Sequence, residues 1–165
     1  MTGESRQGSP GGAAATDTLG RRPRGATVLQ NGRPKAFRPL SDAARWSAFN
    51  EALEAWERGD FFETHELLEP AWMGTADPME RDLHQGLIKL AAAFVHGVRG
   101  NSVGIARNLA GARDRLAATS TSEAARTSGL DVPSIVAAID ERMARLRADP
   151  DDASIEPPVL VRHAT

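Results

Sequence analysis

Residues 77–98 constrain this chain more than any other stretch. Asp77 reads as an N-cap, Pro78 suits the first helical position, where a missing N–H costs nothing, and Glu80 three residues after the cap completes a helix start. Beyond it, Leu83, Leu87, Leu90, Phe94 and Val98 form one apolar stripe. Ile88, Ala91, Ala92 and Val95 cover most of the remaining circumference, and Lys89 is the single charge between Gln85 and Arg99. A helix apolar on nearly every side has to be enclosed by others, so the pattern predicts the buried centre of a helical bundle. The run from Gly86 to Val98 is too short, and too interrupted by Lys89, to cross a bilayer.

The flanking sequence supplies the enclosing helices. Ser41 caps a run in which Trp46, Phe49, Leu53 and Trp56 recur at three-four spacing until Gly59, predicting a helix over about 42–58. Asp60 and Glu63 open a second, with Pro70 expected to kink or fray its last turn. Ile105, Leu109, Ala112 and Leu116 predict a fourth over 103–118, and Val136, Ile139, Met143 and Leu146 a last one from Pro133 to Arg147, after a polar stretch. No strand alternation and no internal repeat is visible. The expectation is an all-α single domain of about five helices at 41–148, which suits a chain of 165 residues. The absence of cysteine excludes disulfides, thiolate metal sites and a cysteine nucleophile, and with no secretory signal it fits a cytoplasmic location.

The two ends read differently. Residues 1–38 carry seven basic side chains against Glu4 and Asp17, net +5, so within the overall −2 the rest carries −7. Rich in Gly, Ser, Pro and Ala at first, residues 1–40 are expected to be a disordered or extended basic leader, with Val28, Leu29, Phe37 and Leu40 able to lie along the acidic body. Residues 149–165 are expected to be a flexible tail, His163 solvated within it. The body has no basic face and the leader's arginines are not interleaved with aromatics, so neither nucleic acid nor membrane is expected as a partner.

Chemistry-bearing residues cluster in the second helix. In Thr64–Trp72, His65 and Glu69 stack one turn apart, with Glu66 about 100° away. The short connection 73–76 predicts that helices two and three fold back on one another. That brings His65 level with His84 and Gln85, and Glu69 level with Arg81, with Gly86 allowing close backbone approach between these two helices. His96 lies too far along its helix to join, and is expected beside Gly59 and Trp56.

The combined pattern resembles domain-of-unknown-function family 309. It runs His-Glu-x-x-Glu-x-x-Trp (His65, Glu66, Glu69, Trp72), Gln-Gly-Leu-Ile (Gln85 to Ile88), an alanine-rich helix ending at His96, then Arg-Gly-Asn (Arg99 to Asn101), with Gly104 following. The similarity spans about Phe49 to Leu146. It implies a compact helical bundle with a polar cluster at those positions, and it brings no established activity; metal-dependent hydrolysis attaches to such proteins only as a suggestion.

Three readings of the cluster follow. A divalent metal (Zn, Mn or Fe) could be held by His65, Glu66, Glu69 and His84 and activate water for hydrolysis, although the zincin pattern needs a histidine where Glu69 stands. The carboxylates Glu63, Glu66 and Glu69 suit magnesium by spacing, but Glu80 and Asp82 are wrongly spaced as the facing acidic pair. Alternatively His65, Glu66, Glu69, Trp72 and Gln85 form a hydrogen-bonded network, with Arg81 or Arg107 as counter-charge and the Trp72 indole donating to a carboxylate. The preferred reading makes the same residues a non-catalytic module for an unidentified small molecule or protein, needing no cofactor. The last helix leaves homodimerisation open. No nucleophile motif or phosphate-cradling loop is present.

Overall fold

The computed structural model describes residues 27–30 and 33–163. Its organising element is the helix foreseen over 77–98. Asp77 accepts the Glu80 N–H at 2.8 Å, Pro78 occupies the first turn, and the helix runs Pro78–Val98. Leu83, Leu87, Leu90, Ala91, Ala93 and Phe94 are buried along it. In chain order the helices are α1 (Asp42–Glu57), α2 (Phe61–Gly74), α3 (Pro78–Val98), α4 (Ser102–Thr119), α5 (Glu123–Ser128) and α6 (Val132–Ala148). Helix α3 packs against α2 and α4, α1 packs on α2, and α6 packs on α4. Among the described residues none of these helices is long and apolar enough to cross a membrane.

Among the described residues the helical domain is all-α, with six helices in place of about five. The additional one, α5, falls in the stretch read as polar linker. Ser122 caps it through the Ala125 N–H at 3.1 Å and Gly129 ends it with φ of 70°. Six residues cannot display a helical period, yet they bury Ala124 and Ala125. Helix α2 continues through Pro70 to Gly74, where a frayed end was expected.

Before the helices, β1 (Thr27–Gln30) and β2 (Arg33–Ala36) pair antiparallel, Thr27 opposite Ala36 and Gln30 opposite Arg33. This hairpin departs from the expectation of no strands. Val28 and Leu29 favour extended backbone, and the Asn31-Gly32 dipeptide between the strands is a strong hairpin signal. Residues 37–40 then run along the end of α2. The Arg38 and Leu40 N–H groups donate to the Met73 and Gly74 carbonyls, Phe37 is buried, and the Leu40 side chain fills the space where Gly74 has none. The leader's Arg6, Arg21, Arg22 and Arg24 lie outside the described residues.

Residues 149–163, expected to be a flexible tail, lie against the bundle. Ile155 is buried, the Pro158 carbonyl accepts the Trp56 indole N–H at 3.1 Å, and Leu130 bridges to Arg162. The reason is an unfilled donor: Trp56, enclosed by Phe61 and Phe94, needs an acceptor that the helices do not offer. His163 is exposed, and its backbone N–H donates to the Gly129 carbonyl.

Two features lock the helices around α3. Glycines let α4 approach closely: a Cβ on Gly86 would stand 2.8 Å from Leu116 Cγ, and one on Gly104 would stand 2.6 Å from His96 Cγ. The pairing of Gly86 with Leu116, Lys89 with Gly111 and His96 with Gly104 descends along α4 as it climbs α3, which makes the two helices antiparallel. Gly86 therefore faces α4, and the expected role of easing α2 against α3 is corrected. A helix face is set by 100° per residue, and the α4 side of α3 also carries Asp82, paired with Arg115.

The second lock is ionic. Arg45 on α1 donates from Nε to Glu80 Oε1 at 2.6 Å and from Nη2 to Oε2 at 3.2 Å, with side-chain exposures of 11% and 8%. Its remaining donors reach the Leu40 carbonyl and Asp42. One guanidinium thus ties the arm, α1 and the start of α3 together. Hydrogen bonding to Glu80 raises its pKa further above the usual value.

Replacing Arg45 with Met should cost about 3–5 kcal/mol in chemical denaturation, because it strands a buried carboxylate, and adding Glu80→Gln should recover part of that loss. Gly86→Ala should cost about 1–3 kcal/mol, since Leu116 has to move.

Candidate functional site

The residues singled out in α2 divide by burial. Asp60 caps the helix, accepting the Glu63 N–H at 3.0 Å, and the Thr64 hydroxyl donates back to the Asp60 carbonyl, which sets the rotation of the helix. Leu68, Ala71 and Trp72 then face the core, all at 0% exposure. The outer side carries His65, Glu66 and Glu69. One ligating atom from each lies within 4.8 Å of the others. His65 is half-buried, with 28% of its side chain exposed, and Glu66 is more open at 53%.

His65 Nδ1 lies 3.2 Å from Glu66 Oε1. In the neutral ring this favours the proton on Nδ1, donated to the carboxylate, and leaves Nε2 with its lone pair for a ligand. Metal–ligand distances near 2.1 Å put donors at most about 4.2 Å apart across one ion, so small rotamer shifts of the two glutamates would bring the trio to coordinating distance. The same groups equally accept hydrogen bonds or pair with a cation on a partner molecule.

The other expected members sit elsewhere. Trp72 is wholly buried, and among the described residues its indole N–H meets no carboxylate or other acceptor, so it belongs to the core rather than to a binding surface. Gln85 is 3% exposed on α3. His84 is corrected as a metal ligand: it is not in the converging set, and its ring lies in the core against Trp46 and Phe49, centroids 5.9 and 5.7 Å away. His84 is 0% exposed and neither ring nitrogen has a hydrogen-bond partner.

Burial, and then the nearby Arg45 charge, push His84 down from 6.5 to about 4; the Ala71 carbonyl, outside hydrogen-bonding geometry, opposes this weakly. His96 is likewise not beside Gly59 and Trp56. It lies at the α3–α4 joint, its Nδ1 3.2 Å from Asn101 Nδ2, while Asn101 Oδ1 accepts the Gly104 N–H at 2.9 Å. Gly100 turns the chain there with φ of 67°, so the Arg-Gly-Asn segment serves a helix joint. Val95, Val98 and Arg99 occupy the place beside Gly59, where they line an open hollow of about 320 Å³ with Asp60, Phe61 and Phe62.

Sequence reasoning missed the Arg45–Glu80 pair, although both residues were visible. They lie 35 positions apart, and only the fold, which brings the first turn of α1 to the first turn of α3, identifies them as partners.

Residues 49–108 match the family model described as Domain of unknown function (DUF309). No curated protein and no solved structure matches the chain.

A folded-state pKa of about 4 against 6.5 for a free histidine means that the unfolded chain binds the His84 proton first. Stability should therefore be full above about pH 6.5 and fall on the order of 3 kcal/mol by pH 4, without further loss from this group below that. Urea melts across this range should show the decline, and His84→Leu should remove it.

Proposed function

We propose that this domain is a non-catalytic binding module whose contact surface is the outer side of α2, with His65, Glu66 and Glu69 as the recognising groups. The observation that carries this reading is the split by burial. An imidazole and two carboxylates converge within 4.8 Å where a partner can reach them, whereas Trp72, His84 and Gln85 are withdrawn into the interior. At 3% exposure Gln85 offers little to a ligand.

The chemistry of the trio selects the partner class. Two carboxylates beside a hydrogen-bonded imidazole favour a cationic or donor-rich group, such as a lysine or arginine side chain or a small polyamine, since charge-assisted hydrogen bonds are about twice as strong as neutral ones. Groups all borne by one helix and half open to water suit recognition better than bond-breaking, which calls for a walled site that excludes water. The second reading, a metal-dependent hydrolase, draws on the same convergence, with the ion held by His65, Glu66 and Glu69 and a bound water as nucleophile.

Elemental analysis of tag-free protein, with Zn2+, Mn2+ and Fe2+ titrations followed by calorimetry, separates the two. The binding-module reading expects no stoichiometric metal and no turnover of ester or phosphodiester substrates by metal-treated protein. One ion per chain together with hydrolysis, both lost in Glu69→Gln, would replace it with the enzyme. The placement of these residues outside the core also makes a stability prediction: Glu66→Gln should shift the folding free energy by less than about 0.5 kcal/mol, and the half-buried His65→Ala by less than about 1 kcal/mol. A loss of several kcal/mol in a denaturant melt would assign these residues to holding the fold.

A further inference from the structure

We propose that the end of the bundle where α1 passes into α2 and α3 into α4 is an interface between two copies of this chain. Apolar side chains gather there in the open. Phe62 is 63% exposed, Val98 84%, Val103 66% and Val159 78%, the four most exposed large hydrophobic residues among those described. Phe62 and Val98 begin and end the helices that meet at this end. Val103 follows the α3–α4 joint, and Val159 is held there by the bond from Trp56 to its neighbour Pro158. Neither core packing nor the α2 cluster uses any of the four. Isolated exposed apolar residues are ordinary, whereas a group at one end of a small domain marks a contact surface.

The patch contains both halves of a self-complementary contact. Phe62 projects beside the hollow of about 320 Å³ walled by Phe61, Val95 and Val98, roughly twice the ~150 Å³ that holds a benzene. Its rim bears one charge of each sign, Asp60 and Arg99. A twofold axis through such a patch seats each Phe62 ring in the other copy's hollow. It sets each Asp60 against the partner's Arg99, the reciprocal pairing that an isologous interface requires. A buried aromatic ringed by polar groups is also the usual anatomy of a stable contact.

Other occupants fit less well. Residues 1–26 contain Met1 and Leu19 as their only large apolar side chains, too few to cover the patch. Near Phe62 the acids Glu57, Asp60 and Glu63 outnumber Arg58 and Arg99, and Arg58 is already paired with Glu63, which disfavours an anionic lipid surface.

Sedimentation velocity of the full chain over a concentration series tests this. The wild-type protein should pass from the 17.6 kDa chain to a species of twice that mass and no further. Phe62→Asp and Val98→Asp should each stay monomeric with unchanged helical circular dichroism, and should melt as the wild type does at concentrations where it is monomeric, because both positions are solvent-facing in the single chain. Arg99→Glu, which sets like charges across the axis, should raise the dissociation constant about tenfold. A chain that is monomeric at every concentration, a dimer that survives both aspartate variants, open-ended polymers, or an Arg99→Glu dimer as tight as wild type would each overturn the proposal.

Discussion

Enclosure of α3 is the constraint from which the other features follow. Once a helix is apolar around nearly its whole circumference, the polar groups it carries have to be settled locally, and the structure shows how several of them are. Glu80 takes the Arg45 guanidinium, Asp82 takes Arg115, the Lys89 stem lies over Gly111, and His96 lies at the Asn101–Gly104 joint. His84 has neither a hydrogen-bond partner nor access to water, so it stays neutral and pays for its burial in basicity. The neighbours of α3 are chosen as much by these polar settlements as by hydrophobic area.

The same enclosure distributes function. With the interior given to packing, recognition has to come from side chains left outside, and these fall into two chemically distinct groups. One is acidic and imidazole-bearing on the outer side of α2; the other is apolar at the end where α1 meets α2. Both use α2 and both face water, but they suit different contacts: His65, Glu66 and Glu69 favour cations and donors, while Phe62 favours the removal of water from its ring. The match of residues 49–108 to a family model of unknown function attaches no activity to either surface.

The sequence carried local signals faithfully. Caps at Ser41, Asp60 and Asp77 were readable because a short polar side chain before an apolar run has one main use, and each accepts an N–H three residues on. The stacking of His65 and Glu69 was readable too, since it needs only the pitch of one helix, whereas Glu66, about 100° away by that pitch, reaches them through its side chain. Where the reading failed, the missing quantity was the rotation of one helix about its axis relative to its neighbours. Spacing puts Gly86, Gln85 and His84 at fixed angles to one another, but it does not say which of them meets α2 and which meets α4. Gly86 was accordingly matched to the wrong helix, and His84 to a site it does not touch. The extended tail was misjudged because its anchor, the Trp56 indole, lies 102 residues away from Pro158.

From its sequence alone the protein was bound to be helical, built around residues 78–98, free of thiol chemistry, and marked by an imidazole–carboxylate trio on one helix. Those properties depend on composition and on the 3.6-residue period, which act over a few residues. Tertiary structure decided which polar groups are sealed and which are open, which arginine neutralises Glu80, and which apolar side chains are left outside. Burial and pairing belong to positions in space, and residues far apart along the chain acquire them only when the helices dock.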